Sequence, residues 1–291
     1  MDGILVVNKE KGCTSHDVVY QVKKLFGKKV GHTGTLDPNA TGVLPILIGK
    51  GTELSQFLIN HDKKYIATIK LGIKTDTADV EGNVVEEQDV KDVLLNEENI
   101  NLILKNMIGK QKQIPPMYSA IKVNGKKLYE YARQGKSVNI PEREIEIYSL
   151  KLLNIDKIEK LITYEIYCSK GTYVRTVCEK IAEQLGTVGY MLDLQRTMVG
   201  EFNIENAITV GDLKNNFENE EFVKSKIITI ERFFDGMPNI NLEEKKMNLF
   251  LNGVLIENEF EDGILKIYDM EGIFIGIGIN SNKRLKRKII L

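Results

Sequence analysis

The sequence predicts an α/β protein with one large unit and one small one, and three observations carry that prediction. Short apolar runs, β-branched or alternating with polar residues in the manner of strands, are interleaved with segments whose apolar residues recur at helical spacing. The chain has 291 residues, more than a single hydrophobic core usually organises. Its texture also changes after Phe234, where Gly236, Pro238 and Asn239 mark a boundary ahead of two closely spaced alternating runs. The expected units are residues 1–235 and 236–291.

In chain order, Ile4 to Val7 is a β-branched run suited to a buried strand, and Lys9 to Gly12 is its turn. Thr14 or Ser15 then caps a helix from His16 to Phe26, with Val18, Val19, Val22 and Leu25 on one face and Gly27 closing it. Gly31, Gly34, Pro38, Gly42 and Pro45 crowd the stretch before the apolar run Ile46 to Ile48. Residues that free the backbone and residues that fix it, so mixed, predict a long shaped loop of the functional kind. Lys64 to Gly72 alternates as a strand, Lys91 to Ile108 reads as an acid-rich helix, Tyr164 to Tyr167 as a strand and Thr176 to Leu185 as a helix before Gly186. Ile264 to Tyr268 and Ile273 to Ile279 are strands joined by the Asp269 to Gly272 turn.

Composition narrows the chemistry. A 42% hydrophobic and 28% charged chain is globular. Its formal charge of −1 sets up no global field for nucleic acid, so such a partner must meet a local patch. Lys110 to Lys136 supplies one, with Lys110, Lys112, Lys122, Lys126, Lys127, Arg133 and Lys136 against the single acid Glu130, and with Tyr118, Tyr129 and Tyr131 among them. Basic residues interleaved with aromatics suit RNA contact, although charge alone favours a solvated face. Lys283, Arg284, Lys286, Arg287 and Lys288 form a second cluster.

Cys13, Cys168 and Cys178 form no C-x-x-C pair, which reads as packing in a reducing compartment. His16, His32 and His61 lack partners at metal spacing, so no metal is expected. Gly49-Lys50-Gly51-Thr52 departs from the phosphate-loop pattern in spacing and in the residue after the lysine. Charged Lys9 follows too short an apolar run for a leader, and no stretch approaches the ~20 apolar residues of a membrane span. A cytoplasmic, soluble monomer is expected.

Asp37 stands in GHTGTLDPNATGVLP. Alone, an Asp before Pro reads as a turn residue. The whole segment, however, resembles the catalytic signature of the tRNA pseudouridine synthase B (TruB) family. GILVVNKEKGCTSHDVV, DKKYIATIKLGIKTDTADVEG and CSKGTYVRTV are similar to further family segments, in order, from Gly3 to about Phe202. Glu10, where proline is usual, and Gln195, where arginine is common, depart from the pattern; the second removes one candidate phosphate contact.

The resemblance implies isomerisation of uridine to pseudouridine in the T-loop of tRNA, at position 55, without cofactor. It implies a pseudouridine synthase fold: a mixed, mostly antiparallel sheet with flanking helices and a small β-rich carboxy-terminal domain of PUA type. It makes Asp37 the essential carboxylate, by attack on C1′, addition to the base or removal of a sugar proton. Arg175 would pair with it, where a structural salt bridge is the plainer fate. Tyr65 would stack on the base and take the C5 proton, or be an ordinary strand aromatic. Tyr173 and Leu194 would touch the uracil, or be core. His32 would stack where the flipped base had been. Residues of about 110–145 would be an arm gripping the T-arm through Lys126, Lys127 and Arg133. The rivals are a hydrolase of the same bond, which would release uracil, and a non-catalytic RNA-binding module, which would make Asp37 and Tyr65 dispensable.

Overall fold

A computed structural model of the chain describes residues 1–136 and 138–291. Its centre is set by two strands that are apolar on both faces, Gly3–Lys9 and Thr41–Ile48. They lie antiparallel, Ile4 opposite Leu47 and Val7 opposite Leu44. Leu5 and Val7 pack against Val18, Val19 and Val22 of the helix Ser15–Phe26, while Ile4 and Val6 face Leu54 and Leu58. Both faces being covered, neither strand needs polar alternation. Strands Lys63–Leu71 and Leu161–Cys168 do alternate, and Tyr65, Ala67, Ile69 and Leu71 turn inward.

Among the described residues the main sheet has ten strands. Its central path runs Ile227–Thr229, Gly3–Lys9, Thr41–Ile48, Gly189–Val199, Lys63–Leu71, Leu161–Cys168, Arg143–Asp156, Gly109–Gln113. Neighbours on this path are antiparallel except Thr41–Ile48 and Gly189–Val199, which meet in parallel at Thr41 with Gln195 and Gly42 with Arg196. Gly42 has φ +106°, and a Cβ there would lie 2.1 Å from the Arg196 carbonyl oxygen. Only glycine lets the two strands approach so closely.

Three sequence expectations need correction. The shaped loop is shorter than Gly31 to Pro45, because Val30–His32 and Thr41–Ile48 are strands and only residues 33–40 lie between them. Pro45 is tolerated inside a strand because it sits where the outer neighbour changes from Gln195 and Arg196 to Val30–His32. The acid-rich helix begins later than Lys91: Asp92–Leu94 is a 3-10 turn, and Asn96 caps the helix Glu97–Asn106 by accepting from the Asn99 N–H.

The arm, finally, is an excursion of residues 114–142. Lys110 and Lys112 belong to the edge strand Gly109–Gln113, which pairs with Arg143–Ile147. The excursion holds a two-residue strand pair, Lys122–Val123 with Lys126–Lys127, and the helix Leu128–Ala132. Ser137, within the expected arm, lies outside the described residues.

A second, five-stranded sheet starts at Asn239–Asn241 and continues through Gly263–Tyr268, Phe274–Ser281, Arg284–Ile290 and Ile256–Glu257. The helix Glu244–Leu251 seals its own cluster around Phe250, Leu265, Ile267 and Leu285. Ile277 and Ile289 instead join a core shared with Ile4, Val6, Val199 and Phe234 of the larger unit. No helix among the described residues is long and apolar enough to cross a membrane.

Candidate active site

The 33–40 loop is fastened at several points. Ser15 Oγ accepts from the Leu36 N–H at 2.9 Å and donates to the Leu36 carbonyl at 3.2 Å. The fully buried Lys9 donates from Nζ to the carbonyls of Cys13 at 2.7 Å, Glu10 at 3.0 Å and Pro38 at 3.0 Å. One ammonium thus ties the amino-terminal turn to the residue after Asp37. Arg196, also buried, donates from Nη2 to the Gly34 carbonyl at 2.9 Å and from Nε to Val43 at 2.7 Å. Backbone groups satisfied by buried donors leave the loop little freedom, which is what a reacting carboxylate requires.

This loop delivers Asp37 to a cavity of about 490 Å³ that is also lined by Tyr65, Tyr173, Arg175 and Leu194. Arg175, at the start of the helix Val174–Gln184, approaches Asp37 through Nε at 3.3 Å and Nη2 at 3.4 Å. Its Nη1 donates to Asp79 at 3.1 Å and to the Thr77 carbonyl at 3.2 Å, and its Nη2 to the Tyr118 carbonyl at 2.9 Å. The guanidinium therefore joins two carboxylates and the root of the arm. Burial raises the Asp37 pKa above the ordinary carboxylate value, Arg175 opposes that rise, and Asp79 adds to it. The Asp37 side chain remains 37% exposed, against 7% for Arg175 and 10% for Asp79, so the acid that faces the cavity is Asp37.

Tyr65 is 7% exposed on the strand Lys63–Leu71, and burial pushes its hydroxyl up to about 12, with the Arg196 charge opposing. It is a neutral phenol at physiological pH. Tyr173 is held by a reciprocal pair of bonds: its N–H donates to Gln113 Oε1 at 2.8 Å and its carbonyl accepts from Gln113 Nε2 at 3.1 Å. Leu194 is buried at the cavity wall, opposite Ala67 across the strands.

The structure thus brings Asp37, Tyr65, Tyr173, Arg175 and Leu194 around one space. His32 lies apart, half-buried on the short strand Val30–His32, its Nδ1 enclosed with no hydrogen-bond partner among the described residues. Burial, helped by Arg196, lowers its pKa and favours the neutral ring. Lys126, Lys127 and Arg133 stand on the arm over its own aromatics. Lys127 Nζ is 5.3 Å and Arg133 Cζ 5.4 Å from the centre of the Tyr129 ring, and Lys126 Nζ is 5.9 Å from that of Tyr131. Tyr129 itself reaches the cavity.

Asp79 and Gln113 escaped the sequence reading. Asp79 falls in DTADVEG beside Asp76 and Glu81, and nothing in spacing marks which of the three acids turns inward. Its selection comes from Thr77 Oγ1, which donates to it at 2.6 Å, and the Glu81 N–H, at 3.1 Å. Gln113 carries no local signal, since its partner is sixty residues away.

Residues 22–174 match the family model of the TruB family pseudouridylate synthase N-terminal domain. Residues 175–235 match the tRNA pseudouridylate synthase B C-terminal domain, and 238–288 the pseudouridine synthase II TruB C-terminal model. The chain is 42% identical to the tRNA pseudouridine synthase B of Caldanaerobacter subterraneus subsp. tengcongensis, over 99% of this chain and 98% of the relative. It is 40% identical to that of Bacillus cytotoxicus, over 98% and 94%. Among solved structures, an H/ACA RNP bound to a substrate RNA containing 2'-deoxyuridine superposes with a TM-score of 0.69 at 21% identity, covering 99% of this chain and 85% of that one. A Cbf5-Nop10-Gar1 complex gives 0.68 at 24%, covering 95% and 78%. These two likenesses concern the fold; with the family models and the near full-length relatives, the chain belongs to the TruB family of pseudouridylate synthases.

Proposed function

We propose that the protein isomerises uridine to pseudouridine in the T-loop of tRNA, with Asp37 as the carboxylate that acts on the nucleoside. The observation that carries this reading is the pairing of a partly exposed Asp37 with a buried Arg175 at a cavity of about 490 Å³, roomy enough for a flipped nucleoside. Family membership and relatives named tRNA pseudouridine synthase B support the reaction and the tRNA substrate.

The reaction breaks the N1–C1′ bond, turns the uracil and joins C5 to C1′. C5 gives up its proton and N1 regains one, so no electrons are exchanged and nothing is added from water. What the protein supplies is a carboxylate held ready, a pocket that keeps the detached base, and a means of lifting the nucleotide out of its loop. Arg175 keeps Asp37 ionised and aimed. Tyr65 offers a ring to the uracil and a hydroxyl for the C5 proton, Tyr173 and Leu194 enclose the base, and His32 fills the gap it leaves. Lys126, Lys127 and Arg133 on the arm engage backbone phosphates, and the small carboxy-terminal unit, of PUA type, extends the RNA contact. The enzyme works as a cytoplasmic monomer without cofactor.

The decisive experiment uses a T-arm stem-loop tritiated at C5 of the target uridine. Wild-type protein releases the tritium and leaves RNA of unchanged length with no free uracil; Asp37→Asn releases none while binding the RNA nearly as well, because the amide keeps the shape and loses the charge. Free uracil would mean hydrolysis instead, and turnover by Asp37→Asn would remove the carboxylate from the mechanism.

A further inference from the structure

Arg175 is not the only cation at the cavity. Lys63, Lys170 and Arg196 line it too. Arg175 is matched by two carboxylates, but these three are matched by neutral oxygens alone. Lys63 Nζ donates to the His61 carbonyl, Lys170 Nζ to Asn60 Oδ1, and Arg196 to the carbonyls of Gly34 and Val43. Among the described residues no ion pair joins any of the three to an acid.

Lys63 and Arg196 also lie close together. A Cβ built on Gly34 would be 3.4 Å from Arg196 Nη1 and 3.7 Å from Lys63 Cε, so the two side chains flank one glycine of the Asp37 loop. Burial and the Arg196 charge lower the Lys63 pKa to about 8, outweighing a smaller opposing pull from the neighbouring Asp62. The Cys168 thiol, whose Sγ lies 3.8 Å from the Lys63 carbonyl, is pushed up to about 12 by burial and offers no counter-charge. Like charges held together with no acid within salt-bridge distance are costly unless an anion completes the site. Arg196 is 1% exposed and contributes its field; Lys63, half-buried at the cavity wall, is the group able to reach a ligand.

We infer that Lys63 is a substrate-positioning residue that binds a phosphate immediately next to the flipped nucleotide, with Lys170 as a second cation at the same wall. The inference rests on the proposed reading of an RNA nucleotide entering this cavity. It adds a backbone contact inside the site, separate from those of the arm. A phosphate fixed there would hold the ribose while its base is detached and turned, when the glycosidic bond no longer positions it.

The test is a cycle between protein and phosphate. T-arm stem-loops carry a single uncharged methylphosphonate at each of the three linkages around the target uridine, and their binding to wild type, Lys63→Met and Lys63→Arg is measured. One linkage should weaken wild-type binding by about tenfold, as loss of a charged hydrogen bond does. The same linkage should cost Lys63→Met almost nothing and should still cost Lys63→Arg. Equal penalties for wild type and Lys63→Met at every linkage overturn the inference, as does the absence of any penalty in wild type, which needs no variant. Lys63→Gln, which keeps a donor at that position, replaces Lys63→Met if the latter does not fold. Tritium release by wild type from the unmodified stem-loop tests the underlying reading: release without coupling sinks only the role of Lys63, whereas no release sinks both.

Discussion

Arg175 Nη1 lies 3.1 Å from Asp79 Oδ2, and this pair is more buried than the contact of the same guanidinium with Asp37. The inner carboxylate holds the arginine in place, and the outer one, on the proposed mechanism, is the acid it serves. Asp79→Asn keeps the shape but removes the charge that holds Arg175. A guanidinium displaced by about 1 Å costs on the order of 100-fold in rate, so kcat should fall by that order with RNA affinity kept. Breaking a buried pair should also lower stability, by up to about 3 kcal/mol. Single-turnover tritium release and thermal melting check the two effects, and a normal rate would show that Thr77 and Tyr118 hold Arg175 unaided.

The pH profile should report the same network. On the proposed mechanism Asp37 acts as the carboxylate ion, and burial sets its pKa above the usual 3.8, with Arg175 pulling down and Asp79 pushing up. Activity is therefore lost as pH falls through that raised value. Asp79→Asn removes an upward push and should move the acid limb of kcat/KM to lower pH. Arg175→Gln removes the downward pull and should move it higher. Limbs that stay in place would assign the titration to another group.

Tyr65→Phe separates ring from hydroxyl. With its pKa raised to about 12 by burial even against the Arg196 charge, the phenol is neutral at physiological pH and can take the C5 proton only after giving up its own. Turnover should be lost in Tyr65→Phe with RNA binding retained, and Tyr65→Ala should weaken binding as well. An active Tyr65→Phe would leave the residue a stacking platform alone.

The arm predicts a salt effect. If Lys126, Lys127 and Arg133 each leave their tyrosines to neutralise a phosphate, replacing all three by alanine should flatten log K against log [salt] by about two to three units, using a slope of roughly 0.9 per contact. Turnover at saturating RNA should change far less, since these residues touch backbone and not the reacting base. A wild-type slope in the triple variant would move the phosphate contacts to the Lys283 to Lys288 cluster.

How much of this was written in the chain depended on the range of the interaction. The helix start at Thr14 or Ser15, where the structure selects Thr14 through a capping box with Asp17, and the helix end at Gly27, which is left-handed, are local and were legible. So were the alternating strands and the turn at Asp269. Pro45 misled because a proline argues against a strand until the change of neighbour beside it is known. Asp37 was legible only through its whole surrounding segment, since Asp before Pro is ordinary by itself. Asp79, Gln113 and Lys63 were not, because what singles each out is a partner, or a missing partner, supplied by another part of the fold.

Ile277 and Ile289 of the small sheet, buried with Ile4, Val6 and Phe234 of the larger unit, have a practical meaning for anyone dissecting this enzyme. Cutting the chain at residue 235 would not simply remove an RNA-binding appendage. It would lay bare an oily surface on the very strand whose Lys9 ties down the loop of Asp37, so the truncated enzyme would fail first as a folded object. A loss of activity in such a fragment carries no information about whether the carboxy-terminal unit contacts RNA, and that must be mapped by surface substitutions in the intact protein.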